Sequence, residues 1–224
     1  MRSLLLIGAL TPAWAHDPIT TKLTWTSEIV RIVHRRCAEC HRPEGKTPMS
    51  LLTYVDSRPW AKAIKEEVLE RRMPPWGAVK GFGEFIDDRG LTQEEIHTIA
   101  DWVEGGAPEG DPKLLPEYRP PTSAGEVPPL TQFDVRGTRK LEAPREFRTI
   151  RPEGVAEKVS FRVIARLPNG RVEPLIWIYR YQPRFARTYT YREPVRLPAG
   201  SMIEVVPPQA AAKVVFGSVP GGVR

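Results

Sequence analysis

The chain has 224 residues, 41% hydrophobic and 27% charged, which supports a packed core, argues against wholesale disorder and fits one large domain or two small ones. The formal net charge of +6 is unevenly spread: residues 1–130 carry 16 Lys+Arg against 19 Asp+Glu, a balance of −3, and residues 131–224 carry 17 against 8, a balance of +9. Two cysteines exclude a disulfide framework, a four-cysteine zinc site and a four-cysteine iron–sulfur cluster.

The N-terminus reads Met1-Arg2-Ser3, an apolar run from Leu4 to Leu10, and Ala13-Trp14-Ala15. That is a secretory signal peptide over residues 1–15, cleaved after Ala15, with a hydrophobic stretch too short to span a bilayer. Periplasmic export without an integral membrane segment is the expectation. A first helix starts near Thr26 or Ser27, places Ile29, Ile32 and Val33 at helical spacing, and runs into Cys37. After Pro43, Gly45 and Pro48, a second helix is predicted from about Pro59 to Arg72, with Trp60, Ile64, Val68 and Leu69 on one face. Met73-Pro74-Pro75-Trp76 stops it, since neither proline donates a helix hydrogen bond. Thr92-Gln93-Glu94-Glu95 is a capping box opening a third helix that ends at Gly105-Gly106.

Of the 24 prolines, 17 follow residue 107, so the later part of the chain is read as turn-rich. Residues 108–129 read as an extended connector. Beyond it the pattern changes to period two. Strands are expected at Val159–Ala165, Leu175–Tyr179, Thr188–Tyr191, Ser201–Val206 and Lys213–Phe216, with a hairpin turn at Pro168-Asn169-Gly170.

Cys37-Ala38-Glu39-Cys40-His41 carries the chemistry. A thioredoxin-type dithiol, a partial metal site and haem attachment are the readings open to such a pair. Two thiols at this spacing can add across the two vinyl groups of one haem, and the adjacent imidazole then ligates the iron. The export signal, the preceding helix and the absence of other cysteines favour haem. Met73, pinned by two prolines, suits a soft sixth ligand, and Met49 competes for that role. Met202 reads as core. His34 and His97 read as surface or flanking residues, and His16 would become the free N-terminus.

With those residues in view, Trp25 to Pro112 resembles a bacterial c-type cytochrome domain of the Met-Pro-Pro-Trp kind. The matching strings are Cys37-Ala-Glu-Cys40-His41, Pro48-Met49-Ser50-Leu51, Trp60-Ala61, Arg72-Met73-Pro74-Pro75-Trp76, and Leu91 to Ile96 leading to Trp102–Pro108. The resemblance implies covalent haem c on Cys37 and Cys40, His41 as proximal ligand, Met73 as distal ligand and a three-helix cytochrome core. Pro174-Leu175-Ile176-Trp177-Ile178 and Leu197-Pro198-Ala199-Gly200 are similar to segments of a copper monooxygenase-like β region that follows such domains in some relatives. No histidine follows His97, so an imidazole copper site cannot be made there.

The expected architecture is therefore α + β with two domains. An all-α cytochrome c-like haem domain (16–107) and a Pro-rich linker (108–129) precede a small antiparallel β-sandwich domain (130–224). The expected work is one-electron transfer by an exported single-haem protein. The rival readings are a haem-dependent redox enzyme with an open iron site, and a partner-binding β module carrying an electron-delivering haem domain. The basic half suits a redox partner that is acidic where it meets the β domain, and export with dispersed arginines argues against nucleic acid. A pocket formed by Trp76 and Trp60 is expected around the haem, with Arg71 or Arg72 beside a propionate.

Overall fold

A computed structural model describes residues 22–45, 47, 49–86, 88–120 and 130–219. The expected signal peptide with its cleavage point and His16, Pro48, and residues 121–129 of the expected linker lie outside the described residues. A π-helical turn, Trp25–Ile29, leads into α1 (Val30–Arg36). Its cap is Thr24, not Thr26 or Ser27. The Thr24 hydroxyl accepts from the Ser27 N–H, and Glu28 accepts from the Thr24 N–H at 2.9 Å. The earlier start lets the Trp25 indole bury against Trp102, with ring centroids 6.0 Å apart.

Then follow α2 (Tyr54–Ser57), α3 (Ala61–Leu69) and α4 (Gln93–Glu104). α4 has the full capping box: the Thr92 hydroxyl accepts from the Glu95 N–H, and the Glu95 carboxylate accepts from the Thr92 N–H. These elements share a core of Trp25, Ile29, Val33, Val68, Ile96, Ile99 and Trp102. The early proline-rich stretch docks on it, since the Trp25 N–H and Trp102 Nε1–H both donate to the Pro108 carbonyl at 3.0 Å.

Eight strands follow: β1 (Thr131–Arg136), β2 (Thr138–Lys140), β3 (Arg145–Glu153), β4 (Phe161–Arg166), β5 (Val172–Ile178), β6 (Tyr189–Leu197), β7 (Met202–Val206) and β8 (Lys213–Ser218). They form two four-stranded sheets, β1-β8-β3-β6 and β2-β7-β4-β5. Every pairing is antiparallel. Alternate residues of both sheets, among them Val135, Phe147, Phe216, Val163, Ile176 and Ile203, bury into one common core.

This corrects the expected fold class. The described chain is mostly β, and its helices are short, the longest having 12 residues. It is not an all-α haem domain followed by a separate sandwich. The segment after α3 leaves the helices: Trp76, Ala78 and Phe85 belong to the core of the sheets. Ala78 bridges to Ile178 and Phe85 to Tyr191. The physical reason is the supply of apolar partners. Helical periodicity sets an apparent boundary near Gly106, but the aromatic residues between α3 and α4 have no helical stripe to join. Sheet edges with unpaired N–H and C=O groups offer them both burial and hydrogen bonds.

Candidate functional site

The cysteine motif continues directly from α1. The Cys37 N–H donates to Val33 O at 2.9 Å, and the Cys40 and His41 N–H groups both return to Cys37 O at 3.1 and 3.0 Å. One tight turn thus holds both sulfurs and the imidazole. Three contacts clamp it to the first turn of α4 and the segment just before it. Arg36 pairs with Glu95 at 3.1 Å and donates to Asp88 O at 2.6 Å, and Glu39 pairs with Arg89.

Both thiols are free. Burial pushes the Cys37 thiol up to about 12, with the Glu95 charge adding to the rise and Arg36 opposing it. Redox-active dithiols work through a depressed thiol pKa at a helix N-terminus or beside cations. Cys37 instead stands at a helix C-terminus, where the helix dipole disfavours a thiolate. The arrangement is wrong for a thioredoxin-type nucleophile.

His41 is buried, and that burial lowers its pKa, a hydrogen bond with the Met49 carbonyl partly offsetting the effect. Its Nδ1 faces Met49 O at 3.4 Å and Thr47 Oγ1 at 3.1 Å. The Thr47 hydroxyl has one proton, and its nearest carbonyl is Cys40 O at 2.9 Å. A carbonyl only accepts, so this network assigns the ring proton to Nδ1 and leaves Nε2 as a bare donor atom. A metal-ligating histidine is commonly oriented in this way. Thr47 and the Met49 carbonyl were not singled out from the sequence, and no local motif marks them.

A cavity of about 340 Å³ is walled by Val68, Met73, Trp76, Leu91 and Ile96, with Arg71 also on its lining. Cofactor pockets run from roughly 300 to 1,000 Å³. Leu91 and Ile96 of the cavity wall also belong to the helical core on which Cys37 packs. Met73 lines the cavity, whereas Cys37, Cys40 and His41 do not. The structure therefore brings the thiols and the imidazole together on one turn and sets the thioether on the cavity lining. Met49 holds the Nδ1 side of His41 through its carbonyl, the side turned away from the donor nitrogen.

The expected surroundings divide. Trp76 is buried on the cavity wall, but Trp60 is 46% exposed and lies outside the lining. Arg72 is engaged by Glu67 at 2.9 Å and Glu66 at 3.2 Å. Arg71 lines the cavity and donates to Gln93 Oε1 at 2.8 Å. His34 packs edge-on against Tyr118 at 4.9 Å, and His97 is exposed beside Gln93.

The residues present fit a covalently held haem. They supply two unpaired thiols on one turn, an oriented imidazole, and a largely apolar cavity with a thioether on its wall. Among the described residues no cluster of three or more His, Cys, Asp and Glu forms a conventional metal site. None of their helices is long and apolar enough to cross a membrane. No protein-family model, no curated protein and no solved structure matches the chain, so the likeness to c-type cytochromes rests on the motifs themselves.

Proposed function

We propose that this chain is an exported electron carrier in which Cys37 and Cys40 would hold one haem c covalently and His41 and Met73 would ligate its iron. The observation that carries the reading is the His41 imidazole, one residue beyond a free Cys-x-x-Cys pair, with its proton held at Nδ1 and Nε2 left to donate. When attached, the haem supplies a one-electron ferric–ferrous couple. The rest is work for the chain's own residues. Thr47 and the Met49 carbonyl orient His41. Val68, Leu91, Ile96 and Trp76 keep water from the cavity. Met73 offers a soft sulfur that favours the reduced state.

The thiols' own chemistry supports this reading over a dithiol oxidoreductase, because a raised Cys37 pKa makes a poor nucleophile. The basic half favours a redox partner with an acidic surface, since complementary charge speeds encounter. Arg184 is exposed, and Arg187 lies over the Trp76 ring at 5.2 Å, close to the Met73 loop.

The test is the absorption spectrum and intact mass of the mature protein made in a host that attaches haem c. Wild type is run beside Cys37→Ala/Cys40→Ala, Met73→Ala and Met49→Ala. A haem-sized mass increment lost in the double variant, with a far-red sulfur-to-iron band lost only in Met73→Ala, is the expected result. A high-spin spectrum that shifts with small ligands moves the assignment to a haem enzyme with an open site. Absence of covalent haem overturns the proposal.

A further inference from the structure

Strand β5 is the open edge of one sheet and β6 the open edge of the other. The segment 77–86 bonds to both. The Val79 N–H donates to Trp177 O at 2.8 Å and the Tyr179 N–H to Gly77 O at 2.9 Å. Further on, the Ile86 N–H donates to Thr190 O and the Arg192 N–H to Glu84 O, each at 2.8 Å. Phe82 meets Trp177 edge-on at 5.0 Å. One segment therefore staples two sheet edges, the usual points of weakness in a sandwich.

This staple begins four residues after Met73. The Trp76 indole is 6% exposed and stands edge-on to the Tyr189 ring at 5.1 Å. The Tyr189 hydroxyl donates to the Trp76 carbonyl, both inside the core of the sheets. On its other side, Met73 is tied to the end of α3, its N–H donating to Glu67 O at 3.2 Å. The thioether is thus suspended between a helical anchor and a β anchor.

We infer that the β sandwich positions Met73 toward the haem iron, with Tyr189 as the positioning residue that fixes the Trp76 carbonyl. The inference rests on the reading of Met73 as sixth ligand. Removing the Tyr189 hydroxyl leaves a buried carbonyl without its donor and loosens the loop carrying the sulfur. The effect is local, because the phenyl ring still fills its place. Tyr191 is the matched control: it is equally buried, and its hydroxyl donates to Leu175 O at 3.2 Å rather than to the loop.

The experiment uses the full mature chain with its covalent haem. Imidazole displaces the thioether while the far-red sulfur-to-iron band is followed in wild type, Tyr189→Phe, Tyr191→Phe and Phe82→Ala. Tyr189→Phe should lose the band at about tenfold lower imidazole than wild type, with Phe82→Ala shifted in the same direction and Tyr191→Phe unchanged. Should Tyr189→Phe fail to give a folded haem protein, Phe82→Ala decides by the same readout. Equal midpoints for wild type and the two loop variants overturn the inference alone, as does an equal shift in Tyr191→Phe. Wild type without covalent haem, or with haem but no far-red band, overturns the underlying reading and the inference with it.

Discussion

Glu95 binds Arg36 with the same carboxylate that closes its own helix cap. Its oxygens lie 3.1 and 3.2 Å from Arg36 Nε and 2.8 Å from the Thr92 N–H. Only 11% of the Glu95 side chain and 17% of the Arg36 side chain are exposed. This single group joins the start of α4 to the end of α1, one residue before Cys37. Breaking a buried pair from one side costs about 3–5 kcal/mol, because the partner charge is stranded. Glu95→Ala is therefore expected to destabilise the helical part by about 3 kcal/mol, measured as a lowered urea midpoint. Glu95→Gln keeps a cap acceptor and should lose less.

The same carboxylate raises the Cys37 thiol pKa, second to burial. In the chain with free thiols, Glu95→Gln should shift the pH profile of Cys37 alkylation downward. The thiol should stay above the ordinary cysteine range, since burial remains. An unchanged profile would show that Glu95 does not act on the thiol electrostatically.

Gly83 and Gly81 make a paired test of the edge staple. Both have positive φ, +78° and +82°. A Cβ at Gly83 would lie 2.4 Å from the Leu175 carbonyl oxygen of β5, whereas one at Gly81 meets nothing within 4 Å. Gly81→Ala should cost only the left-handed backbone penalty, about 1–2 kcal/mol. Gly83→Ala adds a clash with a strand backbone that cannot retreat, so its thermal midpoint should fall further. Equal losses would mean the staple yields freely.

These two sites also separate what local sequence carries from what it does not. The Thr92-x-x-Glu95 box was legible because a cap is made by residues three apart. The turn at Asn169-Gly170 was equally local: the Leu167 N–H donates across it to Arg171 O at 2.8 Å. Strands β4 to β8 were legible in part, through β-branched and aromatic alternation. β3 was missed because its register shifts between Phe147 and Thr149, which breaks the period, and because it contains Pro152. β1 and β2 are short and polar on their exposed positions. The staple was unreadable because its partners lie about a hundred residues away and its glycines mimic a plain loop. At the candidate site, the Cys37–His41 spacing was visible at once. Tyr189 gave no signal, because its role depends on a carbonyl reached only through tertiary packing.

The buried phenols predict an alkaline limit to stability. Burial pushes Tyr189 and Tyr191 well above the ordinary tyrosine value, with Arg187 opposing the rise at Tyr189. In the unfolded chain each phenol releases its proton near pH 10. The folded state keeps both protons, so their contribution is whole below about pH 10 and is lost as pH rises toward the folded values. The loss approaches about 1.4 kcal/mol per pH unit for each tyrosine. Urea midpoints measured from pH 8 to 11 should fall less steeply in Tyr191→Phe than in wild type. Parallel slopes would mean Tyr191 ionises freely in the folded protein.

A chain ended at residue 118 should not keep the Met73 loop ordered. Trp76, Ala78 and Phe85 have their core in the sheets, not among the helices. A buried aromatic side chain removes 150–250 Å² from water, or about 4–6 kcal/mol at the usual apolar coefficient. Losing two such burials is comparable with the whole stability of a typical domain. Lys80 lies in this segment and Arg89 just beyond it. Lys80 pairs with Asp88 at 2.6 Å, and Arg89 pairs with Glu39 of the cysteine turn. Trypsin should cut at Lys80 and Arg89 at least tenfold faster in the 16–118 fragment than in the full mature chain, as read by mass spectrometry. The converse fragment, 130–224, should self-associate through the uncovered β5 and β6 edges, as read by sedimentation. Equal protection of Lys80 and Arg89 in fragment and full chain would mean that the helical part holds the loop unaided. The tie between Trp76 and Tyr189 would then be a contact without consequence for Met73.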